Sequence, residues 1–236
     1  MRLDFIPGTL CDARMWSRLT PLLGDTFQPN YVPLYEAQDR PHMQQVLSDH
    51  CAPRADIVAF SLGVYMALEY VLAHPERVNS LVLIAGSAKG LSQKEIDIRT
   101  RTIPMLERTA YAGLSGVRLR EVLHPIHHND QPTIDLIQQM ALDLGKNVLL
   151  TQFRASMDRP DVMDRLHEIS CPVLLVGARE DKLVDPTIFP EMQPLLPNAR
   201  LHMLDDTGHM IPLEAPQALA QAMLDFYGAV PARILG

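Results

Sequence analysis

The amino-acid sequence predicts an α/β fold, in which a mostly parallel sheet of about six strands is flanked by helices and carries an inserted helical segment. Short apolar runs alternate with longer segments of helical character over most of the chain. One interval, residues 89–166, has helical periodicity but no convincing strand. A chain of 236 residues can bury one large core, so we expect one core with an insertion.

Six short apolar runs are predicted to be strands, because most of them end in turn residues or in a polar loop. They span residues 3–6, 31–34, 56–60, 80–84, 173–176 and 200–204. Segments of helical character lie between or after them, at residues 13–23, 42–51, 62–74, 187–195 and 214–227. Strands that alternate with helices form a parallel sheet that is covered on both faces.

The interval 89–166 is too long for a simple crossover between two strands. Apolar residues recur at helical spacing through "IPMLERTAYAGL", "GVRLREVL" and "IDLIQQMALDL". Gly113, Gly116 and Gly145 are predicted to separate its helices. We therefore expect a core made of residues 1–88 and 167–236, with residues 89–166 forming a helical cap.

Charge and composition exclude several classes of partner. The 21 Lys and Arg residues against 28 Asp and Glu give a net charge of −7, without a basic block that could follow a phosphate backbone. No apolar run approaches the ~18 residues of a membrane span, and the amino terminus does not resemble a secretory signal. Three widely spaced cysteines, Cys11, Cys51 and Cys171, argue against a disulfide framework. These features predict a cytoplasmic monomer or homodimer that binds neither nucleic acid nor membrane.

The stretch "DIVAFSLGVYMALEY" places Ser61 between a predicted buried strand and a predicted helix. In a parallel sheet, reactive groups collect at the carboxyl ends of strands. Small residues two positions to either side, Ala59 and Gly63, allow a sharp turn that exposes the hydroxyl, as A-x-S-x-G in place of the usual G-x-S-x-G. The alternative is an ordinary helix in which Ser61 is the N-cap residue.

A nucleophilic serine needs a base and an acid that orients the base. His209 follows a predicted strand in "LHMLDDTGHMIPLEAP". Glu180 and Asp181 follow another in "CPVLLVGAREDKLVDP". Serine, acid and histidine thus occur in that order, each after its own strand, which favours a catalytic arrangement over three unrelated residues.

Four segments together resemble the α/β-hydrolase fold of small-molecule esterases: "IPGTLCDARMW", "AFSLGVYMALEY", "RPDVMDRLHEISCPVLLVGARED" and "TGHMIPLEAP". The resemblance covers nearly the whole chain. It implies that Ser61 is the nucleophile, His209 the base and Asp181 the acid. Glu180 is the second choice for the acid, because the usual spacing from the glycine is three and Asp181 lies four from Gly177. No metal or organic cofactor is implied.

The resemblance also implies an oxyanion hole made of two backbone amides. One belongs to Leu62, the residue after the nucleophile. The other belongs to Thr9, with Leu10 as the alternative, because Pro7-Gly8 stands where the family usually has His-Gly. The sequence begins at the strand that leads into this loop, without the antiparallel hairpin that usually opens the fold, so about six strands are expected.

Two other chemistries are considered and disfavoured. Four residues have the spacing of ligands on one helical face: Glu121, His124, His127 and His128. Pro125 interrupts that helix, so we expect no metal site. Cys11 lies beside the oxyanion loop but lacks an elbow, so we expect a buried thiol rather than a nucleophile.

The sequence therefore predicts a serine hydrolase that cleaves a small carboxylic ester through an acyl-enzyme. Thioesters and lactones are alternatives, because they use the same machinery. A lyase or C–C bond hydrolase acting on a carboxylated metabolite is a further alternative, for which five arginines of the inserted segment are candidates: Arg99, Arg101, Arg118, Arg120 and Arg154. A non-catalytic binding protein is disfavoured, because all three residue types of the triad are present.

Overall fold

The computed structural model describes residues 1–229, which contain one six-stranded parallel sheet. Its strands are β1 (Arg2–Ile6), β2 (Gln28–Tyr31), β3 (Ala55–Phe60), β4 (Val78–Ile84), β5 (Val173–Ala178) and β6 (Ala199–Leu204). They lie in the order β2-β1-β3-β4-β5-β6, and every neighbouring pair is parallel. The predicted fold class and strand number are confirmed.

Eight α-helices accompany the sheet within residues 1–229. They are α1 (Arg40–His50), α2 (Leu62–Ala73), α3 (Gln93–Arg108), α4 (Gly116–Val122), α5 (Gln131–Ala155), α6 (Ile188–Met192), α7 (Ile211–Glu214) and α8 (Pro216–Ala229). None of these helices combines the length and the apolar composition that a bilayer-spanning segment requires.

The apolar core lies on both faces of the sheet, because side chains alternate along each strand. Ile57 and Ala59 of β3 pack on one face, in the cluster that includes residues of α1, α2 and α6. Val58 and Phe60 pack on the opposite face, with Trp16 and residues of α8. Both faces are covered, which explains why the central strands read as continuous apolar runs.

Two predicted elements of the first 40 residues are wrong. The strand expected at 31–34 is β2, which ends at Tyr31, and its polar sequence QPNY reflects its position at the sheet edge. Asn30 of this strand donates a 2.8 Å hydrogen bond to Asp4 instead of packing in the core. The helix expected at 13–23 consists of two 3-10 turns, Ala13–Trp16 and Thr20–Leu22. Pro21, inside the second turn, lacks the amide that a continuous helix would use.

Two later helices begin or end at other residues than predicted. The helix expected at 187–195 comprises α6 followed by a 3-10 turn, Gln193–Leu195, which contains Pro194. The helix expected at 214–227 is α8, which begins at Pro216 after the single turn of α7. In both places a proline marks the boundary, because its ring clashes with the carbonyl of the preceding turn and it lacks an amide donor.

The segment between β4 and β5 contains α3, α4 and α5 and no strand within it. A capping box between Ser92 and Glu95 starts α3. Gly145 interrupts α5 with φ of 78°, a left-handed conformation that a residue with a Cβ atom adopts only at a cost. The predicted break at Gly145 is therefore confirmed, while Gly113 lies in the α3–α4 connection and Gly116 is the first residue of α4.

Candidate active site

Ser61 occupies a strained turn between β3 and α2. Its φ of 52° and ψ of −114° are unusual for a residue other than glycine, and its side chain makes no capping hydrogen bond to α2. The ordinary N-cap interpretation is therefore wrong. A Cβ atom at Gly63 would lie 2.7 Å from the carbonyl oxygens of Ile6 and Pro7, so only glycine lets α2 approach β1 this closely.

His209 links Ser61 to Asp181 by both nitrogens of its imidazole ring. Nε2 lies 3.0 Å from Ser61 Oγ, and Nδ1 lies 2.8 Å from Asp181 Oδ2. With the Nδ1 proton donated to the carboxylate, Nε2 is left to accept the serine proton. The His209 and Asp181 side chains are almost completely buried, whereas Ser61 is partly exposed, so the hydroxyl is the group that a ligand can reach.

The position of Asp181 is fixed by its second carboxylate oxygen. Oδ1 accepts hydrogen bonds from the amides of Leu183 at 2.8 Å and Val184 at 3.0 Å, which leaves Oδ2 for His209. The neighbouring Glu180 instead accepts a 3.4 Å hydrogen bond from the amide of Thr207. Of the two candidate acids, the structure places Asp181 against the histidine.

The loop that carries His209 is held by the half-buried carboxylate of Glu214, a residue to which the sequence pattern assigns no role. Glu214 accepts hydrogen bonds from the amides of Gly208 at 3.1 Å, Met210 at 2.9 Å and His124 at 2.7 Å. Burial raises the pKa of Glu214, and the amide hydrogen bonds oppose that increase. Glu214 thereby braces both neighbours of His209 and connects their loop to the residues that follow α4.

Two further contacts orient the imidazole. The amides of His209 and Met210 both donate to the carbonyl of Val122, at 3.0 and 3.2 Å. On the other side, the ring of Phe60 packs against the imidazole with 5.1 Å between ring centroids. The histidine is thus positioned by the core sheet and by the segment inserted between β4 and β5.

The loop after β1 holds the candidate oxyanion residues. Leu10 has φ of 54°, and its amide donates a 2.9 Å hydrogen bond to Oε1 of Gln152 on α5. The amide of Leu10 is therefore engaged, which leaves Thr9 as the candidate donor of this loop. Leu62 is the first residue of α2, so its amide lies at the positive end of the helix. Sequence reasoning missed Gln152, because nothing in its helical pattern reveals a partner on a distant loop.

Cys11 lies in the same loop as a buried thiol. Its Sγ atom donates a 3.4 Å hydrogen bond to the carbonyl of Thr9. Burial, followed by the nearby charge of Asp12, raises the thiol pKa to about 12. The thiol therefore stays protonated near neutral pH and is a poor nucleophile.

The histidines after α4 make local hydrogen bonds. Nε2 of His128 lies 3.2 Å from the carbonyl oxygen of Arg120 and 3.1 Å from that of Leu123. Nδ1 of His124 accepts a 3.3 Å hydrogen bond from the amide of Ile126. Over residues 1–229, no group of three or more His, Cys, Asp or Glu side chains is arranged to hold a metal ion.

Comparison with known proteins gives concordant results. Residues 5–222 match the model of the alpha/beta hydrolase family. A 2-hydroxy-6-oxononadienedioate/2-hydroxy-6-oxononatrienedioate hydrolase from Paraburkholderia phymatum is 30% identical over 182 residues, which cover 74% of this chain and 62% of that protein. The chain thus matches somewhat less than two thirds of the length of this relative.

Two solved structures have the same fold as this chain. A thermophilic esterase from Thermogutta terrifontis, in a malate-bound structure, superposes with a TM-score of 0.86 at 20% identity, covering 97% of this chain and 89% of the esterase. An enol-lactonase from Burkholderia xenovorans superposes with a TM-score of 0.79 at 16% identity, covering 96% and 91%. At these identities the likeness concerns the fold alone.

Proposed function

The chain belongs to the alpha/beta hydrolase family, and from this premise we propose that it is a serine hydrolase that cleaves small carboxylic esters. One observation carries the proposal: the imidazole of His209 contacts both Ser61 Oγ, at 3.0 Å, and Asp181 Oδ2, at 2.8 Å. Acyl transfer to a serine requires a hydroxyl, a base and an acid in this arrangement.

In the proposed reaction, Ser61 attacks the carbonyl carbon while His209 takes the hydroxyl proton. The imidazolium returns that proton to the leaving alcohol, and the ester becomes an acyl-enzyme on Ser61. Asp181 holds the ring in its tautomer and stabilises its positive charge. Water, activated by His209, then releases the carboxylic acid. The amides of Thr9 and Leu62 are the proposed donors to the oxyanion.

We assign residues 89–166 to a cap that covers the alcohol or acyl group of the substrate. The hydrogen bonds of Val122 and His124 to the His209 loop, and of Gln152 to the Leu10 loop, support this assignment. They connect α4 and α5 to the two loops that flank Ser61. An apolar cluster around Leu10, Ala141 and Leu149 lies at the same junction and is suited to an alkyl group.

The test of this proposal is hydrolysis of 4-nitrophenyl acetate, butyrate and octanoate by the purified full chain. We expect turnover above the buffer rate, and Ser61→Ala should lower kcat/KM by about 10³-fold or more. Ser170→Ala is the matched control, because this exposed serine lies far from Ser61 in the loop before β5. Equal rates for wild type and Ser61→Ala would contradict the proposal.

Thioesters and lactones remain alternative substrates of the same triad. A parallel assay with butyryl-thiocholine and γ-butyrolactone ranks the three bond types by kcat/KM. The esterase assignment predicts a higher kcat/KM for the best 4-nitrophenyl ester than for the thioester or the lactone. A thioester or lactone preferred by tenfold or more would move the chain to that class with the same roles for Ser61 and His209.

A second candidate function is hydrolysis of a C–C bond in a carboxylated diketone. The observation that favours it is the 30% identity to the Paraburkholderia phymatum hydrolase, whose name specifies a dienedioate. The test is the loss of the dienol absorbance of that dienedioate on addition of the purified chain. Turnover of the dienedioate without turnover of any ester would select this candidate over the esterase.

A further inference from the structure

Arg159 is a half-buried cation that stacks on a residue in the first turn of α2, the helix that follows Ser61. Its guanidinium carbon lies 4.8 Å from the centroid of the Tyr65 ring, and Tyr65 lies four residues after Ser61, in the first turn of α2. The hydroxyl of Tyr65 donates a 2.8 Å hydrogen bond to the carbonyl of Pro160, which fixes the chain beside Arg159. Among residues 1–229, the buried Nε atom of Arg159 finds no hydrogen-bond partner.

Arg99 of α3 is a second half-buried cation, and it contacts the segment that precedes Arg159. It donates a 2.5 Å hydrogen bond to Ser156 Oγ, and its guanidinium carbon lies 5.0 Å from the centroid of the Phe153 ring. Ser156 in turn donates a 2.7 Å hydrogen bond to the carbonyl of Gln152, the residue that holds the Leu10 amide. A short chain of contacts therefore connects Arg99 to the candidate oxyanion loop.

The two arginines lack the carboxylate partner that an enclosed charge normally has. Within the described part of the chain, neither guanidinium lies within 4.0 Å of a carboxylate oxygen. The nearest acids act from farther away, since Glu95 is held at the start of α3 by Ser92 and Glu69 lies beside Arg40. Burying a charge without a partner is costly, so two half-buried cations without carboxylate partners indicate a site for an anion.

The pKa shifts of the two arginines also support a site for an anion. Burial, followed by the charge of Arg159, lowers the pKa of Arg99 to about 10. Burial also lowers the pKa of Arg159. The negative charge of Glu95 opposes the decrease in pKa for both guanidinium groups, and a bound anion would oppose it in the same way.

Other arginines of the inserted segment differ from these two. Arg118 pairs with Glu121 and Arg154 pairs with Glu107, while Arg101 and Arg120 are exposed. Their charges are compensated or solvated. The structure thus retains Arg99 from the five candidates of the sequence and adds Arg159, which the sequence gave no reason to select.

We propose that Arg99 and Arg159 form a subsite for a carboxylate group of the substrate, next to Ser61. Planar guanidinium groups bind carboxylates through paired N–H donors, which suits two arginines stacked on aromatic rings. The inference deepens the proposed function and rests on it, because it makes the preferred ester one that carries a free carboxylate on its acyl or alcohol part.

The first test compares two esters that differ by one methyl group, 4-nitrophenyl hemiglutarate and its neutral methyl ester. Wild type should prefer the acid by at least about tenfold in kcat/KM. Arg99→Met and Arg159→Met should each reduce that preference by about tenfold, mostly through KM. Arg108→Met, at the exposed end of α3, is the matched control and should leave the preference unchanged. A wild-type enzyme that does not distinguish the two esters would overturn the subsite.

The second test measures glutarate binding by calorimetry and is independent of turnover. Glutarate should bind wild type and raise its Tm, and Arg159→Met should weaken binding by tenfold or more. Because an unpaired enclosed charge is removed, this variant should not melt below wild type without ligand. Glutarate binding without any ester turnover would contradict the proposed function but not the subsite. Ester turnover with no glutarate binding would contradict the subsite but not the function.

Discussion

The backbone amide of Leu10 donates a 2.9 Å hydrogen bond to Oε1 of Gln152, a residue 142 positions later in the chain. Leu10 has φ of 54°, a conformation that costs an L-residue free energy and persists only when its surroundings hold it. Gln152 is buried on α5, so the inserted segment stabilises the turn after β1 that contains Thr9.

Replacing Gln152 by Leu should therefore impair catalysis more than substrate binding. We expect kcat to fall by about 10- to 100-fold, because a misplaced oxyanion donor weakens transition-state binding. KM should change by less than about threefold. Steady-state kinetics with 4-nitrophenyl butyrate measure both parameters.

Gln138→Leu is the matched control for this variant. Gln138 also lies on α5 and accepts a 2.9 Å hydrogen bond from a backbone amide, that of Leu114, in the α3–α4 connection. Both variants should lose about 1–3 kcal/mol of stability, because each leaves an amide without its acceptor. A similar loss of kcat in both variants would show that Gln152 contributes to stability and does not position the catalytic loop.

Asp181 and Glu180 are distinguished by parallel substitutions. Asp181→Asn should lower kcat by about 10³- to 10⁴-fold, because the amide no longer selects the tautomer in which Nε2 of His209 accepts a proton. Glu180→Gln should stay within about twofold of wild type, since Glu180 contacts the amide of Thr207 and not the imidazole. Reversal of these two results would reassign the acid.

The cysteines should differ sharply in their reaction with iodoacetamide. Burial raises the pKa of Cys11 and of Cys51 to about 12, so at pH 8 both remain thiols and should react slowly in the folded protein. Cys171 is half-buried and should be modified first. Unfolding in guanidinium chloride should make all three react at similar rates, as peptide mass mapping would reveal. Rapid native modification of Cys11 would contradict its burial in the loop after β1.

The central sheet could be predicted because its inner strands are buried on both faces. β3 and β5 appear in the sequence as continuous apolar runs ending at Phe60 and near Gly177. The edge strand β2 was predicted three residues too late along the chain, because one of its sides pairs with no strand of the described sheet and its residues, such as Gln28 and Asn30, are polar. Propensity and pattern fail where a strand is defined by its neighbour rather than by burial.

The three residues of the candidate triad could also be predicted from the sequence, whereas the residues that position them could not. Ser61, Asp181 and His209 each follow a strand, so topology alone brings them to one edge of the sheet. Gln152 and Arg159 are defined by partners that lie far away in sequence, on the β1 loop and on α2. No local pattern reveals a contact of this kind, so the three-dimensional structure was needed to find them.

The activation of Ser61 by His209 is tested most directly by labelling with a fluorophosphonate. Intact mass gives the rate of labelling, and peptide mapping gives its site. An activated serine predicts one adduct, on Ser61, formed at least about 100-fold more slowly in His209→Ala, because the 3.0 Å contact with Nε2 is lost. Ser61→Ala should not be labelled. The absence of an adduct on wild type, an adduct elsewhere in the chain, or equal labelling of Ser61 in His209→Ala would contradict the assignment of Ser61 as a nucleophile activated by His209.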